Sequence, residues 1–234
     1  MAVKFKRVLL KLSGEAIKGD DGIINYEYLR SIGNVVKSCT EDGAEIAVVV
    51  GAGNIWRGRQ GLSMDRVRAD QMGMLATVIN AIAIQDAFIS VGVDTVVMSA
   101  VEMNTFAEQY TVRDANRLLS EGKVVVFGAG TGNPYFSTDT GAVLRAAEIG
   151  ADVILMAKHI DGVYTADPHK DPTAKKLDET TYDYILEHHL GVIDLTAASL
   201  ATDAHLPLYL FALDDPENIR KVISGENMGT IVNC

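Results

Sequence analysis

The chain has 234 residues, 48% of them hydrophobic and 22% charged, a composition that excludes disorder and is long enough to bury roughly 70% of its unfolded surface in a self-sufficient core. A formal net charge of −10 excludes general affinity for nucleic acid or anionic membrane, so a phosphate ligand must be met by locally gathered Lys, Arg and backbone N–H groups. No apolar run approaches the ~20 residues of a bilayer span, no signal core follows the basic start, and Cys39 and Cys234 fit neither a disulfide framework nor a zinc site, so a reduced, cytoplasmic protein is expected.

The first predicted strand, Val8 to Leu12, runs into Lys11-Leu12-Ser13-Gly14-Glu15. A lysine on the last strand residues supplies a compact charge for phosphate oxygens, and Gly14 lets backbone approach closely. A solvated lysine beside an ordinary turn is the plain alternative. Tyr28, Leu29, Ile32, Val35, Val36 and Cys39 then form a helical stripe.

The second strand, Ile46 to Val50, leads into Gly51-Ala52-Gly53-Asn54 and Trp56-Arg57-Gly58-Arg59. The glycines form a second backbone cradle, and Arg57 offers a planar, permanently charged fork. A dinucleotide Gly-x-Gly-x-x-Gly would need glycine at position 56, where Trp56 stands.

The longest helical pattern covers about Met64 to Ser90. Met72, Met74, Leu75, Val78, Ile79, Ile82 and Ile84 wrap much of its circumference, which predicts burial against both the sheet and another element, a subunit interface being the candidate. Asp70 within it can accept hydrogen bonds from ribose hydroxyls or simply pair with Arg66 or Arg68.

Strands are predicted at Thr95 to Met98 and Val124 to Phe127, the latter followed by Gly128-Ala129-Gly130 and then Thr131-Gly132-Asn133-Pro134-Tyr135-Phe136-Ser137-Thr138-Asp139. Hydroxyls, an amide and two aromatics here sit at a strand's carboxyl end before a helix start, where open α/β sheets bind anions. Asp139 reads as the N-cap of that helix, or as an anchor for Lys11 or a magnesium ion.

Further strands are expected at Val153 to Met156 and Leu208 to Phe211. Between them, Asp161 to Asp178 reads as a long ordered loop in which Tyr164 could stack on a base and Asp167 could take ribose hydroxyls. The five histidines, His159, His169, His188, His189 and His205, lack ligand spacing, so neither a metal centre nor a histidine base is expected. Alternation of continuous apolar strands with helices predicts an α/β protein, a three-layer α/β/α sandwich around a mostly parallel sheet.

Over Lys11 to Thr230 the chain resembles the bacterial uridylate kinases of the amino acid kinase superfamily. Lys11 to Gly14 and Asp161 to Pro168 look like superfamily motifs, and Asp70-Gln71-Met72-Gly73-Met74-Leu75-Ala76-Thr77 and Thr131 to Asp139 look specific to uridylate kinases. The resemblance implies the amino acid kinase fold over 1–234, with an acceptor-binding part at about 1–150 and an ATP-binding part at about 151–234. It implies transfer of the γ-phosphoryl of ATP to UMP in pyrimidine nucleotide biosynthesis, with Mg²⁺ carried by ATP and no side-chain metal cluster. Lys11, Leu12, Ser13, Gly14, Gly53 and Arg57 would hold ATP phosphates, while Lys158, Tyr164 and Asp167 would line the adenosine pocket. Ala52, Asp70, Thr131, Gly132, Asn133, Pro134, Tyr135, Phe136, Ser137 and Thr138 would hold UMP, and Lys11, Arg57 and Asp139 would be catalytic. It further implies a homohexamer built from dimers, activated by GTP and inhibited by UTP, with Gly19 to Ile24 in a region tied to effector response.

Two positions depart from the family pattern. Gly51-Ala52-Gly53 replaces three glycines, which is tolerable only with negative φ at Ala52, and Lys158-His159 stands where relatives carry Thr or Asn. The competing readings are an amino-acid kinase that makes an acyl phosphate and a non-catalytic storage protein on the same fold. The acceptor loop speaks against the first, and the retained Lys11, Arg57 and Asp139 speak against the second.

Overall fold

Strand β1 (Arg7–Leu12) opens the fold in a computed structural model that describes residues 3–20, 22–56, 63–168 and 170–234. It is followed by α1 (Tyr26–Glu41), β2 (Glu45–Val50), α2 (Arg66–Ser90), β3 (Thr95–Ser99), β4 (Glu108–Gln109), α3 (Val112–Ser120), β5 (Val124–Gly128) and α4 (Thr138–Ile149). The remainder is β6 (Val153–Lys158), β7 (Val163–Tyr164), β8 (Lys176–Leu177), β9 (Glu179–Thr181), α5 (Tyr182–Glu187), α6 (Leu195–Asp203), β10 (Leu208–Ala212), α7 (Glu217–Ser224) and β11 (Thr230–Asn233). All six predicted strands are present.

One nine-stranded sheet has the order β4-β3-β5-β2-β1-β6-β10-β11-β9, parallel except where β10 meets β11. Strand β1 is therefore central, with Lys11 beside Val49 of β2 and Met156 of β6. Alternate residues of each strand feed two cores. Val8, Leu10, Leu12, Val48 and Leu155 pack under α1, α2 and α7, while Leu9, Val49, Ile154 and Met156 pack under α3 to α6. Burial on both faces is why the strands read as unbroken apolar runs.

That period of two also places the functional lysines. Lys11 shares its face with Leu9, and Lys158 with Ile154 and Met156, so both ammonium groups emerge on the α4 and α6 side at the strands' carboxyl ends.

Two expectations need correction. The N-cap of α4 is Ser137, whose side chain accepts from the Thr140 N–H; Asp139 lies in the first turn instead. Helix α2 packs on the sheet through Ala76, Val78, Ala81 and Ile84 and also meets α1, and part of its apolar surface stays open among the described residues. Met72, Leu75, Ile79 and Ile82 remain 40%, 56%, 49% and 38% exposed. Helix α2 is also long and apolar enough to cross a membrane by length and composition, an attribute the sequence reading had denied to every segment. Its inner face is used by the core, since Asn80 is fully buried there.

Candidate active site

Lys11 and Asp139 meet at 2.7 Å, Nζ to Oδ1. The ammonium comes from the central strand and the carboxylate from the first turn of α4, where the helix dipole favours negative charge. Burial acts most strongly on Asp139 and would raise its pKa, yet the positive charges of Lys11 and Lys158 together outweigh it and hold the carboxyl below its ordinary value. The pKa of Lys158 is also lowered: burial, aided by repulsion from Lys11, outweighs the pull of Asp139 and Asp194. Its ammonium donates to the Val192 carbonyl. Two ammonium groups thus act on the one Asp139 carboxylate, Lys11 by direct contact and Lys158 through its charge.

The glycines join the two loops at this end of the sheet. A Cβ on Gly14 would come within 2.5 Å of the Gly53 nitrogen and 2.6 Å of the Gly51 oxygen, so only glycine permits the approach. The Gly51 N–H donates to the Leu12 carbonyl. Behind them, Asn54 and Asn80 exchange side-chain amide hydrogen bonds of 2.9 and 2.8 Å, and Asn80 also donates to the Gly51 carbonyl at 2.8 Å. Ala52 stays outside the left-handed region, as its replacement of glycine requires.

The acceptor loop is unusual in its backbone. Ala129, Gly130, Gly132 and Tyr135 have φ of 63°, 57°, 82° and 72°, and the two that are not glycine cost about 1–3 kcal/mol each. Asp70 Oδ2 accepts from the Tyr135 N–H at 2.8 Å and from Arg66 Nε at 2.8 Å, so its plain pairing with Arg66 and its part in the loop coexist. Ser137 donates to Asp194, which also accepts from Thr140 Oγ1 at 3.2 Å and caps α6 through the Ala197 N–H. One carboxylate ties the starts of α4 and α6 together.

These elements enclose a cleft of about 700 Å³ lined by Ala52, Gly53, Trp56, Asp70, Thr77, Thr131, Asn133, Phe136, Ser137, Thr138, Asp139 and, from the carboxyl-terminal part, Gly191, Ile193 and Asp194. Most of the anticipated acceptor set converges. Tyr135 does not line it; its ring is 64% exposed and lies beneath the Arg66 guanidinium at 5.2 Å. Leu12 is buried in the core, and Ser13 caps its own turn by accepting from the Glu15 N–H. Tyr164 and Asp167 also lie outside the lining. Tyr164 donates to Asp161 at 2.9 Å, on the small β7–β8 ribbon, and Asp167 is 3.2 Å from Lys170. Arg57 and His169 fall outside the described residues. Asn80, Thr77 and Asp194 were not singled out by the sequence reading; a polar residue at a core position of an apolar helix is the signal that marks Asn80 and Thr77.

A nucleotide-sized cleft at the carboxyl ends of parallel strands, headed by a lysine–carboxylate cluster, defines a phosphotransferase-type site. The chain belongs to the amino acid kinase family, whose sequence profile it matches over residues 6–214. Among solved structures it is similar to the UMP kinase from Bacillus anthracis, with 37% identity, a TM-score of 0.93 and 98% and 96% of the two chains covered. It is similar also to the UMP kinase from Ureaplasma parvum, at 35% identity, a TM-score of 0.93 and 98% and 99% coverage. The uridylate kinase from Archaeoglobus fulgidus matches at 30% identity and a TM-score of 0.74, with 96% and 99% covered.

Proposed function

We propose that the protein is a UMP kinase, transferring the γ-phosphoryl of ATP to UMP to give UDP and ADP in pyrimidine nucleotide biosynthesis. The observation that carries this reading is the Asp139 carboxylate, which lines a cleft walled in part by the 131–138 loop and is paired with Lys11 behind it and felt by Lys158. Kinship with UMP kinases supports it.

The UMP phosphate is already a nucleophile, so the protein's work is alignment and charge neutralisation, and no general base is needed. Lys11 and Lys158 offset charge on the transferring group and its neighbours. Gly14 and Gly53 bring backbone N–H groups against the ATP phosphates, with Leu12, Ser13 and Arg57 on the same side. Asp139 holds the Lys11 ammonium in place, and its charge opposes the burial that lowers the pKa of Lys158. Ala52, Asp70 and Thr131 through Thr138 hold UMP, and Tyr164 and Asp167 flank the adenosine. Lys158 thereby acquires a phosphate-side task in place of an adenosine contact. The acceptor and donor halves meet near residue 150.

Magnesium fits this site as a passenger of ATP. Among the described residues no three His, Cys, Asp or Glu side chains gather to hold an ion, whereas Mg²⁺ needs only one or two carboxylates beside phosphate oxygens; Asp139 is the candidate. When bound, the ion would neutralise charge between the β- and γ-phosphates.

The exposed apolar stripe on α2 supports a homo-oligomer, a hexamer built from dimers by family analogy. Nucleotide substrates and two thiols without a disulfide suit a cytoplasmic enzyme.

The test is a coupled ADP-release assay with ATP·Mg²⁺ and, in turn, UMP, CMP, glutamate and acetylglutamate. Turnover with UMP far above the others is expected, and preference for an amino acid would replace the reading by acyl-phosphate synthesis. Adding GTP or UTP to the UMP reaction tests effector control.

A further inference from the structure

We propose that Arg145 and Thr77 are positioning residues for the acceptor nucleotide, acting through the backbone of the loop that holds it; this rests on the assignment of the 131–138 loop to UMP. The loop leaves β5 through two consecutive left-handed residues, Ala129 and Gly130. Ala129 is not glycine, so its conformation persists only where the surroundings fix it. Each of the two residues is held by one side chain from outside the loop. The Ala129 N–H donates to Thr77 Oγ1 at 2.9 Å, and the Gly130 carbonyl accepts from the Arg145 guanidinium at 3.3 Å.

Arg145 is only 5% exposed and is itself held from two sides. Its guanidinium lies 4.0 Å from the centre of the Tyr110 ring and 2.5 Å from Glu148 Oε2, which also accepts from the Tyr110 hydroxyl at 2.6 Å. A planar fork clamped between a ring and a carboxylate has its plane fixed, and with Nη1 on Glu148 its Nη2 meets the Gly130 carbonyl. Arg145 does not line the cleft. Its effect on substrate must therefore pass through the turn, which fixes where Thr131 and Asn133 begin.

The test compares Arg145→Lys, Arg145→Met and Thr77→Val with the wild type. Lysine keeps a charge for Glu148 but lacks the second arm of the fork, and valine keeps the shape of Thr77 while leaving the Ala129 N–H without its acceptor. Steady-state kinetics should show the KM for UMP raised about tenfold, with the KM for ATP and kcat changed less than about threefold, because only uniform binding of the acceptor is lost. Titration of UMP against the fluorescence of Trp56, which lines the cleft and is the chain's 1 tryptophan, should show the same loss without ATP. Unchanged UMP affinity in Thr77→Val and Arg145→Lys overturns the proposal, as does a parallel loss of ATP affinity and thermal stability. If Arg145→Met does not fold, the other two decide. A wild type that neither binds nor phosphorylates UMP defeats the functional assignment instead.

Discussion

The Lys11 ammonium and the Asp139 carboxylate, contributed by the central strand and by the first turn of α4, lie 2.7 Å apart. Lys11→Ala should keep the fold and lose turnover by about 10²–10³-fold, the range for deleting one donor aimed at developing charge. Near-normal kcat in that variant would remove Lys11 from the chemistry.

Asp139 gives a pH signature. Its carboxyl is held below the ordinary value of 3.8 although burial, the largest influence, acts upward; Lys11 and Lys158 prevail. A group with a folded pKa below its unfolded one contributes stability above the unfolded value and loses it as pH falls toward the folded one. Urea unfolding of Asp139→Asn at stepped pH should show a shallower decline below about pH 4 than the wild type. Parallel curves would mean that Asp139 is not coupled to the lysines.

Lys158 predicts an alkaline limb. Burial, with repulsion from Lys11, sets its pKa below the ordinary 10.5, so a kcat that depends on its charge should fall at lower pH than an exposed lysine would allow. Arg stays charged throughout. In Lys158→Arg the limb should flatten, and a limb identical to that of the wild type assigns the titration elsewhere.

Asn80 should matter for stability and for catalysis together. It is fully buried and holds both Asn54 and the Gly51 carbonyl. Asn80→Ala strands those partners, at a cost of about 1–3 kcal/mol, which denaturant midpoints would read. The KM for ATP should rise as well, since the Gly51–Gly53 turn loses its backing.

The exposed stripe on α2 predicts association. Replacing Leu75 and Ile79, 56% and 49% exposed, by Asp should yield a smaller species in sedimentation velocity while each chain stays folded. An unchanged sedimentation coefficient would move the interface elsewhere.

The sheet was legible because strands buried on both faces must be apolar without interruption, as Val124 to Phe127 is. Lys11 was legible for the converse reason, a charge set into such a strand. The short β11 and β9 were not, since they mix polar residues such as Thr230, Asn233 and Glu179 with few apolar ones. The α4 cap was misplaced because Ser137 and Asp139 are both competent caps, and only the pull of Lys11 separates their tasks. Asp194 escaped notice because its partners, Ser137 and Thr140, lie more than fifty positions away, a separation no local pattern encodes. The outer side of α2 was legible as apolar but not as exposed, because an apolar residue looks the same in sequence whether or not its own chain covers it.

Strand β1 lies near the start of the chain but is bonded on one edge to β2 and on the other to β6, which begins at Val153. The polypeptide can be divided near residue 150, but the hydrogen-bonded sheet cannot. A fragment ending there would present an open edge running from Val8 to Leu12, ready to pair with any unfolded strand it meets. The same continuity gives the enzyme a rigid spine through its middle, so rearrangement between the nucleotides is confined to loops and helix starts above the sheet.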